Sequence, residues 1–138
     1  MPIADLSSSG VPTSYLKTLK VPPKIFPTTG QDATLTGLQN VLAGYRCGSV
    51  YKPIYLEAQA AATLAVYLRA GIKPTKALVN GETTDSQQKK QVPSVLLTPL
   101  WVTPQNIAAT AVKDGFVPAA KLCAGDAAQA CKAAGISQ

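Results

Sequence analysis

Thr29-Gly30-Gln31-Asp32-Ala33-Thr34-Leu35-Thr36-Gly37-Leu38-Gln39-Asn40-Val41-Leu42-Ala43-Gly44-Tyr45-Arg46-Cys47-Gly48-Ser49-Val50-Tyr51-Lys52-Pro53 reads as a strand end, a turn, a helix and a second strand. Just upstream, Lys24 to Thr28 is short and extended, because Pro27 cannot sit inside a helix there. Gly30 allows a sharp turn. Asp32 suits a helix N-cap, and Leu35, Leu38, Val41 and Leu42 form one apolar face behind it. Gly44 is the expected stop. Extended structure resumes at Ser49-Val50-Tyr51, and Pro53 keeps Lys52 out of the helical region. Gln31 and Asp32 therefore fall at one strand end and Lys52 at the end of the next. Open α/β sheets bind ligands at the carboxyl ends of their strands, and a carboxylate with an ammonium there can grip a polyhydroxylated molecule. Taken singly, Asp32 also reads as a helix cap and Lys52 as a solvated surface charge.

The order of the blocks adds to this. Thr29-Gly30-Gln31-Asp32-Ala33, a short amphipathic helix, Val50-Tyr51-Lys52-Pro53-Ile54 and an Ala-rich helix follow one another. Val92-Pro93-Ser94-Val95-Leu96-Leu97-Thr98-Pro99 and Val112-Lys113-Asp114-Gly115-Phe116 come later. The pattern resembles the type I periplasmic-binding proteins that serve bacterial ABC sugar importers, in their D-xylose-binding branch, over residues 15–138. The resemblance implies an α/β fold, a single lobe of that architecture with a sheet flanked by helices. Residues 1–14 become a divergent flexible leader and 15–138 the C-terminal lobe portion. Asp32 and Lys52 are carried over as sugar contacts, with Gln31 beside them. The implied ligand is a xylose-like monosaccharide, with no cofactor or metal, and the implied docking partner is an ABC permease. Family members have two lobes, so a missing N-terminal lobe or a second copy is expected to complete the site. The family is exported, which implies a periplasmic or cell-surface location. Met1 to Gly10 itself shows neither the basic start nor the apolar core of a signal peptide.

The same context bears on the cysteines. In an exported protein Cys123 and Cys131, with Gly125 allowing a turn between them, are expected to pair. Closing so small a loop stabilises by roughly 2.5 kcal/mol in the chain-entropy model. Two buried thiols are the alternative. Cys47 is left over, either a buried thiol or the partner of a cysteine in the missing lobe.

Composition narrows the function classes. The chain has 138 residues, 46% apolar and 14% charged, which suits one ordered domain and not a disordered segment. It contains no uninterrupted apolar run of the ~18 residues a membrane helix needs. Net charge is +6, but apart from Lys89-Lys90 the cations are dispersed, which argues against nucleic acid as a partner. There is no histidine, hence no Ser-His-Asp or Cys-His arrangement and no His-based metal site. No phosphate-binding Gly-rich loop and no Cys-x-x-Cys spacing is present. The expectation is a binding protein, not an enzyme.

Elsewhere the reading is coarser. Tyr15 to Lys20 suits one or two helical turns. The longest helix spans about Tyr55 to Ala70. It is expected either to pack as a two-sided core helix or to expose its apolar face and favour homo-oligomers. Pro74 to Gln91 reads as a polar loop around the Asn80-Gly81 turn, with a short strand at Ala77–Val79. Val95-Leu96-Leu97 reads as a buried strand, with Trp101 in the core beside it. Thr103-Pro104 opens a helix running to Asp114, and short helical pieces follow over Phe116–Leu122 and Ala127–Ala134. The two leading functions are sugar capture for an importer and a non-catalytic, self-associating structural fragment. The effector domain of a transcription regulator ranks third, because no DNA-binding helix pair precedes it.

Overall fold

The computed structural model describes residues 3–4, 11–25 and 28–137. In chain order the elements are β1 (Ile3–Ala4), α1 (Val11–Thr18), β2 (Thr28–Gln31), α2 (Leu35–Leu42), β3 (Arg46–Tyr51), α3 (Ile54–Arg69), β4 (Gly81–Thr84), β5 (Gln91–Ser94) and β6 (Leu100–Val102). A π-helical turn (Ala108–Val112), α4 (Ala119–Leu122), a 3-10 turn (Gly125–Ala127) and α5 (Ala128–Ala133) complete the chain. The fold is α/β, with sheets flanked by helices. The main sheet has the order β1-β2-β3-β6. Its first three strands are parallel and β6 is antiparallel to β3. Most of the leader expected over 1–14 lies outside the described residues, as do Phe26 and Pro27. Within that stretch Ile3 and Ala4 pair with Thr28 and Thr29, and Val11 opens α1.

Two compact units emerge, residues 1–52 with 99–138, and residues 53–98. In the first, α2 crosses between parallel β2 and β3, as parallel pairing requires. Gly44 ends the crossover with φ 80°, a conformation open to glycine at little cost. Leu38 and Val41 of α2 are buried with Tyr51 of β3, Val102 of β6, Ile107, Ala111 and Leu122. Cys123 and Cys131 join this core and form the expected disulfide. Pro104 opens the turn before the π-helical segment, where Asn106 Oδ1 accepts from the Thr103 N–H at 2.8 Å.

Trp101 departs from the core placement expected of it. It is 46% exposed, because among the described residues β6 is an edge strand with nothing paired beyond it. Its ring lies over Gly48, where a Cβ would come within 2.5 Å of Trp101 Cζ2 and 2.6 Å of the Val102 carbonyl oxygen. Gly48→Ala is therefore expected to destabilise by about 1–3 kcal/mol, the usual cost of overpacking. Trp101 is the single tryptophan, so its emission reports the displaced ring directly. An unchanged spectrum and melting temperature would remove the packing argument.

The second unit holds α3 and the β4-β5 hairpin. No residue of α3 is buried, and Val66 and Leu68 are 68% and 71% exposed. The two-sided core helix is thus corrected to an exposed one, whose alanines supply intrinsic propensity in place of packing. The buried strand expected at Val95–Leu97 is also corrected. The strand is Gln91–Ser94, and Leu96 and Leu97 are 49% and 37% exposed. A two-stranded hairpin offers no second layer to bury them, and its edge tolerates Pro93. Ala77 and Leu78 lie in a turn, not a strand. Asn80 closes the hairpin from its side chain, donating to the Leu96 carbonyl at 2.9 Å and accepting from the Leu96 N–H at 2.7 Å.

Candidate functional site

The β2 ladder continues one residue past Gln31, where the Asp32 N–H donates to the Val50 carbonyl at 2.8 Å. The chain then turns through left-handed backbone, with φ 71° at Asp32 and 29° at Ala33. Such conformations cost non-glycine residues of order 1–3 kcal/mol each and persist only where the surroundings enforce them. This turn corrects the capping role expected of Asp32. Thr34 is the N-cap, and its Oγ1 accepts from the Gly37 N–H at 3.2 Å. Asp32 stands two residues further back, and its carboxylate is left for other chemistry.

β3 ends on Tyr51, and Lys52 follows. Lys52 Nζ lies 2.6 Å from Asp32 Oδ1, with side chains 40% and 45% exposed respectively. An ion pair this exposed contributes about 0–1 kcal/mol, so either group can exchange its partner for a ligand hydroxyl at small cost. Gln31 is the last residue of β2 and stands in register with Val50, which pairs with Trp101 on β6. Lateral neighbours in a sheet share a face, so Gln31, Val50 and Trp101 line one side. Of the three residues expected at the site, Asp32 and Lys52 are in direct contact and Gln31 adjoins them along the strand. The Trp101 ring sits over Gly48, four residues back from Lys52.

Three further residues shape these strand ends. The Tyr51 hydroxyl donates to Asp114 Oδ2 at 3.1 Å. The Tyr51 ring lies 5.2 Å from that of Phe116, tilted by 51°. Tyr51 is 1% exposed, so the residue before Lys52 is fixed from beneath by the Asp114–Phe116 segment. The Val112–Phe116 block is legible in the sequence, but its bond to Tyr51 is not. Arg46, at the start of β3, is 2% exposed, and no local pattern announces a buried guanidinium.

A cavity of about 880 Å³ lies elsewhere, lined by residues including Leu42, Arg46, Cys47, Thr103 and Gln105. None of Gln31, Asp32 or Lys52 contributes to it. It adjoins the start of β3, and its walls combine Val41, Leu42 and three alanines of α5 and its C-cap with the polar Lys24, Arg46, Thr103 and Gln105. The paired charges Asp32 and Lys52, of the kind that can bond hydroxyls, are at the strand ends, and the candidate site is taken to be there. Cys47 is exposed, and its thiol donates to the Thr28 carbonyl at 3.2 Å, so the buried-thiol expectation is corrected.

No protein-family model matches the chain. Over 88 residues it is 46% identical to the D-xylose-binding periplasmic protein of Escherichia coli, covering 64% of this chain and 25% of that protein. Over 88 residues it is 40% identical to the D-xylose-binding periplasmic protein of Haemophilus influenzae, with the same coverage. A solved carbohydrate transporter solute binding protein from Chloroflexus aurantiacus, in complex with D-glucose, is similar with a TM-score of 0.61 and 26% identity. That match covers 69% of this chain and 26% of the other. The chain thus spans about a quarter of the length of the curated relatives it matches. These relatives are solute-binding proteins, which agrees with the non-enzymatic reading. In sequence the matched segment is similar to part of the D-xylose-binding periplasmic proteins, and in fold to part of a carbohydrate transporter solute binding protein.

Proposed function

We propose that the chain binds a xylose-like monosaccharide at the carboxyl ends of β2 and β3, as part of the sugar-capture component of an ABC importer outside the cytoplasm. The observation that carries this is the exposed Asp32–Lys52 pair, held at 2.6 Å on adjacent strand ends. A sugar hydroxyl both donates and accepts. It can give its proton to the Asp32 carboxylate while its oxygen accepts from Lys52, and such charge-assisted bonds are the stronger kind. Gln31 offers a donor and an acceptor beside them. In this reading residues 15–138 supply one jaw, a second lobe closes over the sugar, and the closed form docks on the permease.

Calorimetric titration with D-xylose, then other pentoses and hexoses, tests this. The expected result is a saturable heat. A folded chain giving none up to about 10 mM, beyond the weakest affinities of interest here, would defeat autonomous binding. A second reading would then lead, that of a non-catalytic fragment self-associating through α3. The exposure of Val66 and Leu68 favours it, and sedimentation of the same sample would show the oligomer.

A further inference from the structure

The geometry points to Arg46 as a positioning residue for the turn that presents Asp32, a role that builds on the proposed sugar site. Arg46 is the largest of the fully buried side chains. Its guanidinium lies against two glycines on different elements. A Cβ on Gly30 would overlap Nη1 and come within 2.8 Å of Cζ, and a Cβ on Gly37 would meet Nη1 at 3.0 Å. Gly30 is the next-to-last residue of β2, and Gly37 lies in the first turn of α2. Between these two contacts stand Asp32 and Ala33, both at positive φ. One side chain therefore braces both flanks of the strained turn.

Two considerations set Arg46 apart from an ordinary packing residue. Glycine inside a helix is unfavourable, so Gly37 is costly unless its missing side chain is needed. That side chain would meet both the guanidinium Nη1 and Thr34 Oγ1 at 3.0 Å. A cation is also the wrong charge for a helix N-terminus, and an apolar chain of similar length would fill the space without desolvating a charge. Arg46 supplies what such a chain lacks, a rigid planar head with several donors, and the turn it braces carries the carboxylate of the proposed site.

The test compares Arg46→Met, Arg46→Lys and Gly37→Ala with the parent chain by amide hydrogen exchange. Two amides report the turn: Asp32, bonded to the Val50 carbonyl, and Gly37, bonded to Thr34 Oγ1. In Arg46→Met and Gly37→Ala both are expected to exchange at least ~10-fold faster, with the β3–β6 ladder amides unchanged, and Arg46→Lys should recover part of the protection. A purely structural role would instead speed all core amides together. Uniform loosening, or no change in either variant, overturns the proposal. If Arg46→Met does not fold, the Asp32 amide in Gly37→Ala decides, because the new methyl presses on Thr34 Oγ1, the acceptor of the Gly37 amide, but not on the Val50 carbonyl. Where the parent chain binds D-xylose, Arg46→Met is further expected to weaken it at least ~10-fold. A parent chain that binds no sugar counts against the sugar site, while the exchange result still decides the brace.

Discussion

Asp32→Asn is expected to weaken monosaccharide binding at least ~100-fold while leaving the chain folded. The substitution keeps size and shape, and asparagine tolerates the left-handed backbone found at this position. What it removes is the charge. Hydrogen bonds to a charged group contribute roughly 1.5–3 kcal/mol each, and a carboxylate gripping two hydroxyls makes two of them. The fold should survive because Asp32 is not the cap of α2, and its ion pair is too exposed to contribute much stability. Asp32→Ala should lose binding as completely. Titration of each variant with the sugar bound by the parent, alongside its melting temperature, separates the two effects. Unchanged affinity in Asp32→Asn would remove Asp32 from the site.

Replacing both Cys123 and Cys131 by alanine should lower stability by roughly 2.5 kcal/mol in the chain-entropy model. For a chain of this length that corresponds to a fall in melting temperature of roughly 5–10 °C. The bridge joins residues 8 apart, so the entropic gain is modest. Its place adds to the effect, because both sulfurs belong to the buried core. Breaking the bridge releases α5 from its link to the end of α4, and α5 walls the cavity beside β3. Calorimetry with and without reductant measures the difference. If reductant leaves the double-alanine variant unchanged but lowers the parent to match it, the bridge is responsible. Equal stability of the oxidised parent and the variant would refute the assignment.

The neighbourhood of Asp32 and Lys52 was legible because it follows from chain order. A β-α-β crossover with parallel strands puts successive carboxyl ends side by side, and Gly44 and Pro53 mark where the elements stop. The cap of α2 was not legible. Asp32 and Thr34 are both good N-caps, and the choice is made by two residues of left-handed backbone that no pattern signals. Arg46 was missed for a different reason. A buried cation depends on which glycines face it, and Gly30 and Gly37 meet only after the strand and helix have packed. Leu96, Leu97 and Trp101 were read as buried from their hydrophobicity. Burial needs an opposing layer, however, and among the described residues these three side chains stay 37–49% exposed. The same holds for α3, whose sequence suits a buried helix or a bare one equally.

The antiparallel β6 has a bearing on how this chain can change over time. Tyr51 and Leu100 are partners in register, so the chain leaves the main sheet and re-enters it at neighbouring points. Everything from residue 53 to 98 is an excursion with adjoining ends. Segments with that property behave as detachable modules: they can grow, shrink or be exchanged without disturbing the sheet that hosts them. Lys52 stands at the exit point. The excursion itself is therefore open to modular replacement, while the parallel strands that align Asp32 with Lys52 stay fixed.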